Sequence, residues 1–293
     1  MVDPEPAAFH ASASTTVAMP AFSLFYQPGP GSLYYVSTSR GFSPAGVDAA
    51  LPTCFQGPQP YPTDTLWSYE LGAKFGLIED NPYLHITLFD SRWDNGPDLT
   101  RNCLVTHIPG SAFSRGLELK VGYPIRDLRA ALEVSYIDAR YTDTLNDSQG
   151  NPLVNDGDAL GTPPLVASPW NALVSLEQSF TLRDRLHLAV RAEDAYHSHN
   201  TGPFYTGIPG TYYAPGLEAD PSTNLLNLRA TFSLHSPDSA ARASRLDLAV
   251  FVTNALDSQP TLLKRNKGVD VSTLYYATTF RPRTVGLSGT WQF

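Results

Sequence analysis

The stretch HSHN places His197 and His199 two positions apart, on one face of an extended segment. Two imidazoles at that spacing can share a metal ion, but a closed site needs further ligands. The pair is therefore expected to be a solvated polar strand end, and no metal site is predicted. Just beyond it, PFYTGIPGTYYAPG carries Phe204, Tyr205, Tyr212 and Tyr213. Aromatic faces set among Pro and Gly in a loop can form a cup for a small ligand, or can simply pack the loop on itself. Catalysis has less support. GxSxG, HExxH, GxxxxGK[ST] and CxxC are all absent, and His10, His85, His107, His187 and His235 are scattered without a partner pattern. No catalytic residue and no cofactor are expected.

The elements that hold these residues follow a period of two. In the closing stretch RPRTVGLSGTWQF, Val285, Leu287, Gly289, Trp291 and Phe293 fall on one face, and Thr284, Gly286, Ser288, Thr290 and Gln292 on the other. Ten earlier segments behave alike: AFSLFYQ, LYYVSTSR, LWSYELGAKFGLI, YLHITLFDSRW, FSRGLELKVGY, LRAALEVSYIDARY, WNALVSLEQSFTL, RLHLAVRAEDAYHS, NLLNLRATFSLH and RLDLAVFVTNAL. In one of them Trp67, Tyr69, Leu71, Ala73, Phe75 and Leu77 oppose Ser68, Glu70, Gly72, Lys74 and Gly76. The 25 Pro, 21 Gly, 15 Tyr and 14 Phe, with only 16% charged residues, favour many short strands over helices. A formal net charge of −8 without a basic stripe argues against nucleic acid as a partner.

Alternation alone suits a soluble sandwich as well as a membrane barrel, so the connections decide. PGPGS, EDNP, PIRD and RD are short and SPDSAARAS is moderate, whereas residues 41–65, 94–112, 142–168, 200–223 and 257–280 are long. Alternating tight turns and long loops belong to outer-membrane barrels. Strands of about ten residues tilted about 45° cover roughly 23 Å of bilayer, and Trp67, Trp93, Tyr141, Trp170, Tyr196 and Trp291 lie near strand ends, where aromatic rings favour the headgroup level. Charges such as Glu70, Lys74, Glu118, Lys120, Arg129, Glu133, Glu177, Arg191, Glu193 and Arg229 then belong on the inner face. No window is apolar enough for a transmembrane helix, and the first twenty residues lack the charged start and apolar core of a secretory signal.

Four stretches carry a family resemblance. LYYVSTSRGFSPAG, LWSYELGAKFGL, FSRGLELKVGY, and VFVTNALDSQP followed by RPRTVGLSGTWQF resemble, in that order, the C-terminal β-barrel portion of TonB-dependent outer-membrane receptors. The resemblance implies an all-β fold: an antiparallel transmembrane segment of about 11 strands, half of a barrel of about 22, with no plug domain. Residues 1–20 are expected to be a poorly structured lead-in or the start of the first strand, and 21–293 the barrel portion. A soluble all-β ligand-binding module is the rival reading.

The same resemblance implies the partners and the function. Trp291 and Phe293 would present the terminal signal read by the barrel-assembly machinery. Cys54 and Cys103, in the first two long loops of an oxidising compartment, would either bridge or remain two thiols. The function implied is uptake of siderophore-bound iron or another scarce nutrient across the bacterial outer membrane. The chain alone is not expected to transport actively, because the plug and the TonB-contacting segment belong to a missing N-terminal half. An open edge in lipid is not tolerable. That half is therefore supplied separately, the strands close a smaller barrel, or the chain never assembles.

Overall fold

Eleven two-faced strands must cover their apolar face with a second layer of protein or with lipid. A computed structural model of the chain describes residues 14–48, 59–76, 82–96, 99–101, 104–106, 110–146, 150, 152–161, 166–204, 219–236, 244–266 and 275–293. Among them, one antiparallel sheet runs in strict sequence order. Its strands are β1 (Ala21–Gly29), β2 (Ser32–Ser43), β3 (Asp64–Phe75), β4 (Tyr83–Gly96), β5 (Gly110–Ile125), β6 (Leu128–Tyr141), β7 (Trp170–Arg183), β8 (Leu186–His197), β9 (Thr223–His235), β10 (Arg245–Thr253) and β11 (Thr284–Gln292). All eleven expected strands are present. Several bounds shift, most of them lengthening the strand, and two strands end early for a local reason: β3 stops at Phe75 because Gly76 turns the chain with φ of 72°, and β10 stops at Thr253 because Asn254 does so with φ of 50°.

Register fixes what each face carries. One cross-strand row reads Leu24, Val36, Leu71, Leu88, Leu117, Tyr136 and Trp170, and another reads Leu176, Ala192, Leu228, Val252 and Val285. Large apolar side chains along these rows stand exposed, reaching 68% at Val285. No described residue packs over them, unlike the inner faces of a two-layer sandwich, which bury each other. Covering a Leu or Phe side chain is worth ~1.5–3 kcal/mol, and here lipid has to supply it.

The opposite face gathers the charges. Lys120 meets Glu133 at 2.9 Å, Arg191 meets Glu193 at 2.6 Å, and Arg129 and Arg191 both approach Glu177 at 3.7 and 3.9 Å. All ten charges assigned to the inner face share it by register. Aromatic rings also lie flat there over glycines of the facing strand: Tyr35 over Gly72, Tyr83 over Gly122, Phe89 over Gly116 and Phe251 over Gly286. A Cβ at Gly72 would sit 2.3 Å from the Tyr35 ring, so only glycine lets the Tyr35 hydroxyl reach Glu70 and Thr87.

The sheet is open. Within the described residues β1 pairs only with β2 and β11 only with β10. The two-residue turns at 30–31, 126–127 and 184–185 lie at one end, the same end as Phe293, and the long connections lie at the other.

Candidate functional site

Tight packing occurs at the long-loop end. There Leu145–Asn146 pairs with Pro152–Val154, and Val154, Leu145, Tyr141, Ala112 and Ala159 are buried together. The Asp158 carbonyl accepts the Tyr141 amide at 2.9 Å, and Arg140 donates to the Gly157 carbonyl at 2.8 Å, fastening this knob to β6. The next long connection starts on it, since the Pro203 carbonyl accepts the Ala159 amide at 2.6 Å. Phe204 follows and is half-buried. Its expected companions Tyr205, Tyr212 and Tyr213 lie outside the described residues, as do Cys54 and Cys103.

Beside the knob, the ends of β7, β8 and β9 frame two adjoining clefts on the charged face. One, of about 450 Å³, is lined by Ala195, His197, Asp220, Thr223, Leu225 and Phe280 among others. The second, of about 340 Å³, runs inward past His197 and Asn171 to Lys120 and Glu133. His197 belongs to both clefts and is held by Asn171, whose Oδ1 lies 2.5 Å from its Nδ1. Asn171 in turn donates to the Ser168 carbonyl at 3.1 Å.

His199 is tied differently. Its Nδ1 faces the Asp220 carbonyl and lies 3.3 Å from Asp220 Oδ2. The Asp220 side chain is only 9% exposed. Burial pushes its carboxyl up from the ordinary value, against the Asn200 amide at 2.8 Å and His199, which pull it down. Asn200 also donates to the Ala167 carbonyl at 2.8 Å, so HSHN clasps the loops preceding β7 and β9. The motif expected to be a solvated strand end is thus the clasp of the mouth. Sequence reading missed Asn171 and Asp220, because their roles depend on partners 26 and 21 residues away.

A second clasp sits between β10 and β11. Asn254 is buried, accepts the Ser258 amide at 2.8 Å and donates to the carbonyls of Ser258 and Arg281, both at 2.9 Å. Its own amide donates to Asn227 Oδ1 at 3.1 Å. Asp257, with φ of 53°, accepts the Arg283 amide at 2.9 Å, a bond that holds its carboxyl below the usual range. The cue was legible: Asn and Asp three apart in TNALDSQP are turn formers that tolerate positive φ. At the other end Trp291 and Phe293 point outward with the apolar face, their ring centroids 5.6 Å apart.

The assembled clefts can enclose a small guest against apolar walls with a few fixed hydrogen-bonding groups. Among the described residues no group of three or more His, Cys, Asp or Glu is placed to hold a metal ion.

Residues 4–255 match the family described as TonB dependent receptor-like, beta-barrel. Among solved structures, the chain is similar to the ferric yersiniabactin uptake receptor FyuA from Yersinia pestis at 16% identity and a TM-score of 0.63, covering 92% of this chain and 36% of that one. BauA, the ferric preacinetobactin receptor from Acinetobacter baumannii, is similar at 18% identity and a TM-score of 0.61, with 94% and 36% covered. The ferric citrate transporter FecA follows at 15% identity and a TM-score of 0.57, with 94% and 38% covered. At such identities the likeness carries the fold. The chain spans less than two fifths of the length of these receptors.

Proposed function

Because the chain belongs to the TonB-dependent receptor-like β-barrel family, whose members are outer-membrane transport receptors, we propose that it forms part of the wall and mouth of a receptor importing siderophore-bound iron or another scarce nutrient. The observation that carries this reading is the uncovered apolar face of an eleven-stranded sheet. On this reading residues 21–293 are barrel wall and 1–20 a lead-in, and Phe204, Tyr205, Tyr212 and Tyr213 stand at the ligand-facing loop. Cys54 and Cys103 would tie two outer loops together, and Trp291 with Phe293 would be recognised by the barrel-assembly machinery. The chain contributes ligand contacts and no catalysis.

Strand direction supports the need for a complement. In an antiparallel sheet of odd strand number, β1 and β11 run the same way. Closing such a sheet on itself, or joining it to a second copy inserted in the same direction, creates a parallel seam, whereas single-chain bacterial barrels are even and antiparallel. A complement with an odd number of strands restores antiparallel pairing at both seams. Eleven more would give the barrel of about 22 strands. Contact with TonB, and hence active transport, runs through that complement, whether it is covalently joined to this chain or a separate polypeptide.

The test is uptake of radiolabelled ferric siderophores by cells making this chain with and without a strand-bearing complement. Energy-dependent uptake is expected only with both. Uptake by the chain alone would contradict the division of labour, and failure of every ferric complex and scarce-nutrient probe with both present would contradict the receptor reading.

A further inference from the structure

His197 lines both clefts at the long-loop end, and the hydrogen bonds around it fix how its imidazole acts. Asn171 donates through Nδ2 to the Ser168 carbonyl at 3.1 Å and to Ser135 Oγ at 3.4 Å. Its Oδ1 is therefore the atom turned to His197 Nδ1, at 2.5 Å, and an oxygen there accepts, so Nδ1 carries the ring proton. In the neutral ring Nε2 is then a bare acceptor, and no described residue donates to it. Asn171 is a positioning residue that makes His197 a fixed acceptor on the cleft wall.

The rest of the lining agrees in sign. From His197 the inner cleft crosses β7 and β6 to Glu118 on β5, a span of roughly 14 Å at ~4.8 Å per strand. Lys120 is its one ammonium among the described residues, and that charge is taken up by Glu133 at 2.9 Å. Glu118 has no ion pair among the described residues. The outer cleft offers Leu225, Leu262 and Phe280 as apolar walls, and its Asp220 is already held by Asn200 and His199. No described arginine lines either cleft. A guest that passes the apolar walls thus meets a bare imidazole nitrogen and an unbalanced carboxylate.

We propose that these clefts bind a hydrophobic amine, its apolar body in the outer cleft and its ammonium in the inner one, between His197 Nε2 and Glu118. Charge decides the class. An anionic complex would lose hydration beside Glu118 with no unpaired cation to replace it, whereas an ammonium donates N–H to the imidazole, is drawn by the carboxylate and is compatible with the Phe280 ring on its way in. The inference rests on the receptor reading above and narrows its cargo to organic cations.

The experiment uses the protein purified in mild detergent from outer membranes, in whatever assembly holds its edges there. It is titrated by fluorescence with probes that share a dansyl ring and a pentyl chain and end in an ammonium, an acetamide or a carboxylate. The ammonium probe is expected to bind about tenfold or more tightly than the carboxylate, as a charge-assisted hydrogen bond implies, with the acetamide between them. Glu118→Gln, His197→Phe and Asn171→Leu should each weaken the ammonium probe about threefold or more without weakening the carboxylate probe, a selective loss that general loosening of the mouth would not give. Asp247→Asn, at the short-turn end of the same face, should bind as the unsubstituted protein does, and heat-modifiable mobility should be unchanged throughout. Equal or tighter binding of the carboxylate probe, or full ammonium selectivity in both E118Q and H197F, overturns the proposal. Acetamide binding equal to ammonium binding would assign a neutral donor and overturn the cation class. An unsubstituted protein that stays out of the membrane fraction defeats this inference together with the receptor reading; membrane insertion and uptake with the complement, but no ammonium preference, defeats this inference alone.

Discussion

Asn254 shows how much one side chain can hold in a protein with little buried core. Its amide group pairs with three backbone groups at the β10–β11 corner. Asn254→Ala is expected to destabilise by ~1.5–4.5 kcal/mol, from three hydrogen bonds lost at ~0.5–1.5 kcal/mol each. Urea unfolding in detergent micelles measures it, and a loss below about 0.5 kcal/mol would mean that water replaces the amide. The exposed ion pairs on the charged face, by contrast, are worth ~0–1 kcal/mol each and can be deleted singly at small cost. At this scale the sequence was partly legible. Alternation put Glu70, Lys120 and Arg229 on their correct face, because a period of two leaves a charge only two choices. The clasp formed by His197, His199, Asn171 and Asp220 was not legible, because it joins loop ends that only the sheet order brings together.

At the scale of the element, all eleven strands could be read from periodicity, and what remained hidden was how neighbouring strands fit. The rings laid over glycines are an example: both glycines of GLSG in β11 look alike, yet they face different surroundings. A Cβ at Gly286 would lie 2.3 Å from the Phe251 ring, whereas one at Gly289 meets Leu248 at an ordinary 3.4 Å. Gly286→Ala is therefore expected to cost ~1–3 kcal/mol as Phe251 is forced off the wall, and Gly289→Ala to be neutral within ~0.5 kcal/mol. The same unfolding assay compares them, and equal effects would show that Phe251 swings away freely. Strand ends were the least legible feature, because a turn residue such as Gly76 or Asn254 overrides a pattern that continues past it.

At the scale of the whole molecule, the absence of a second layer among the described residues is the dominant fact. A soluble β-protein of this length would bury its Leu, Val and Phe side chains between sheets, whereas here they form exposed rows on one side while charges pair on the other. The turn asymmetry allowed this to be read from sequence, since it reflects insertion from one side of a membrane rather than packing. Parity of the strands could be counted as well, and it constrains what completes the wall. The occupant of the mouth stayed illegible, because loop residues set it and Phe204 alone of the proposed aromatic cup lies among the described residues.

The claim that lipid touches the apolar face is tested most directly by single-tryptophan variants reconstituted in bilayers containing brominated phospholipid. Trp170 and Trp291 stand on that face, and Trp93 shares a cross-strand row with Leu66 and Ala112 on the other. Quenching is expected for Trp170 and Trp291 and not for Trp93. Equal quenching of all three, or quenching of Trp93 alone, would contradict the account.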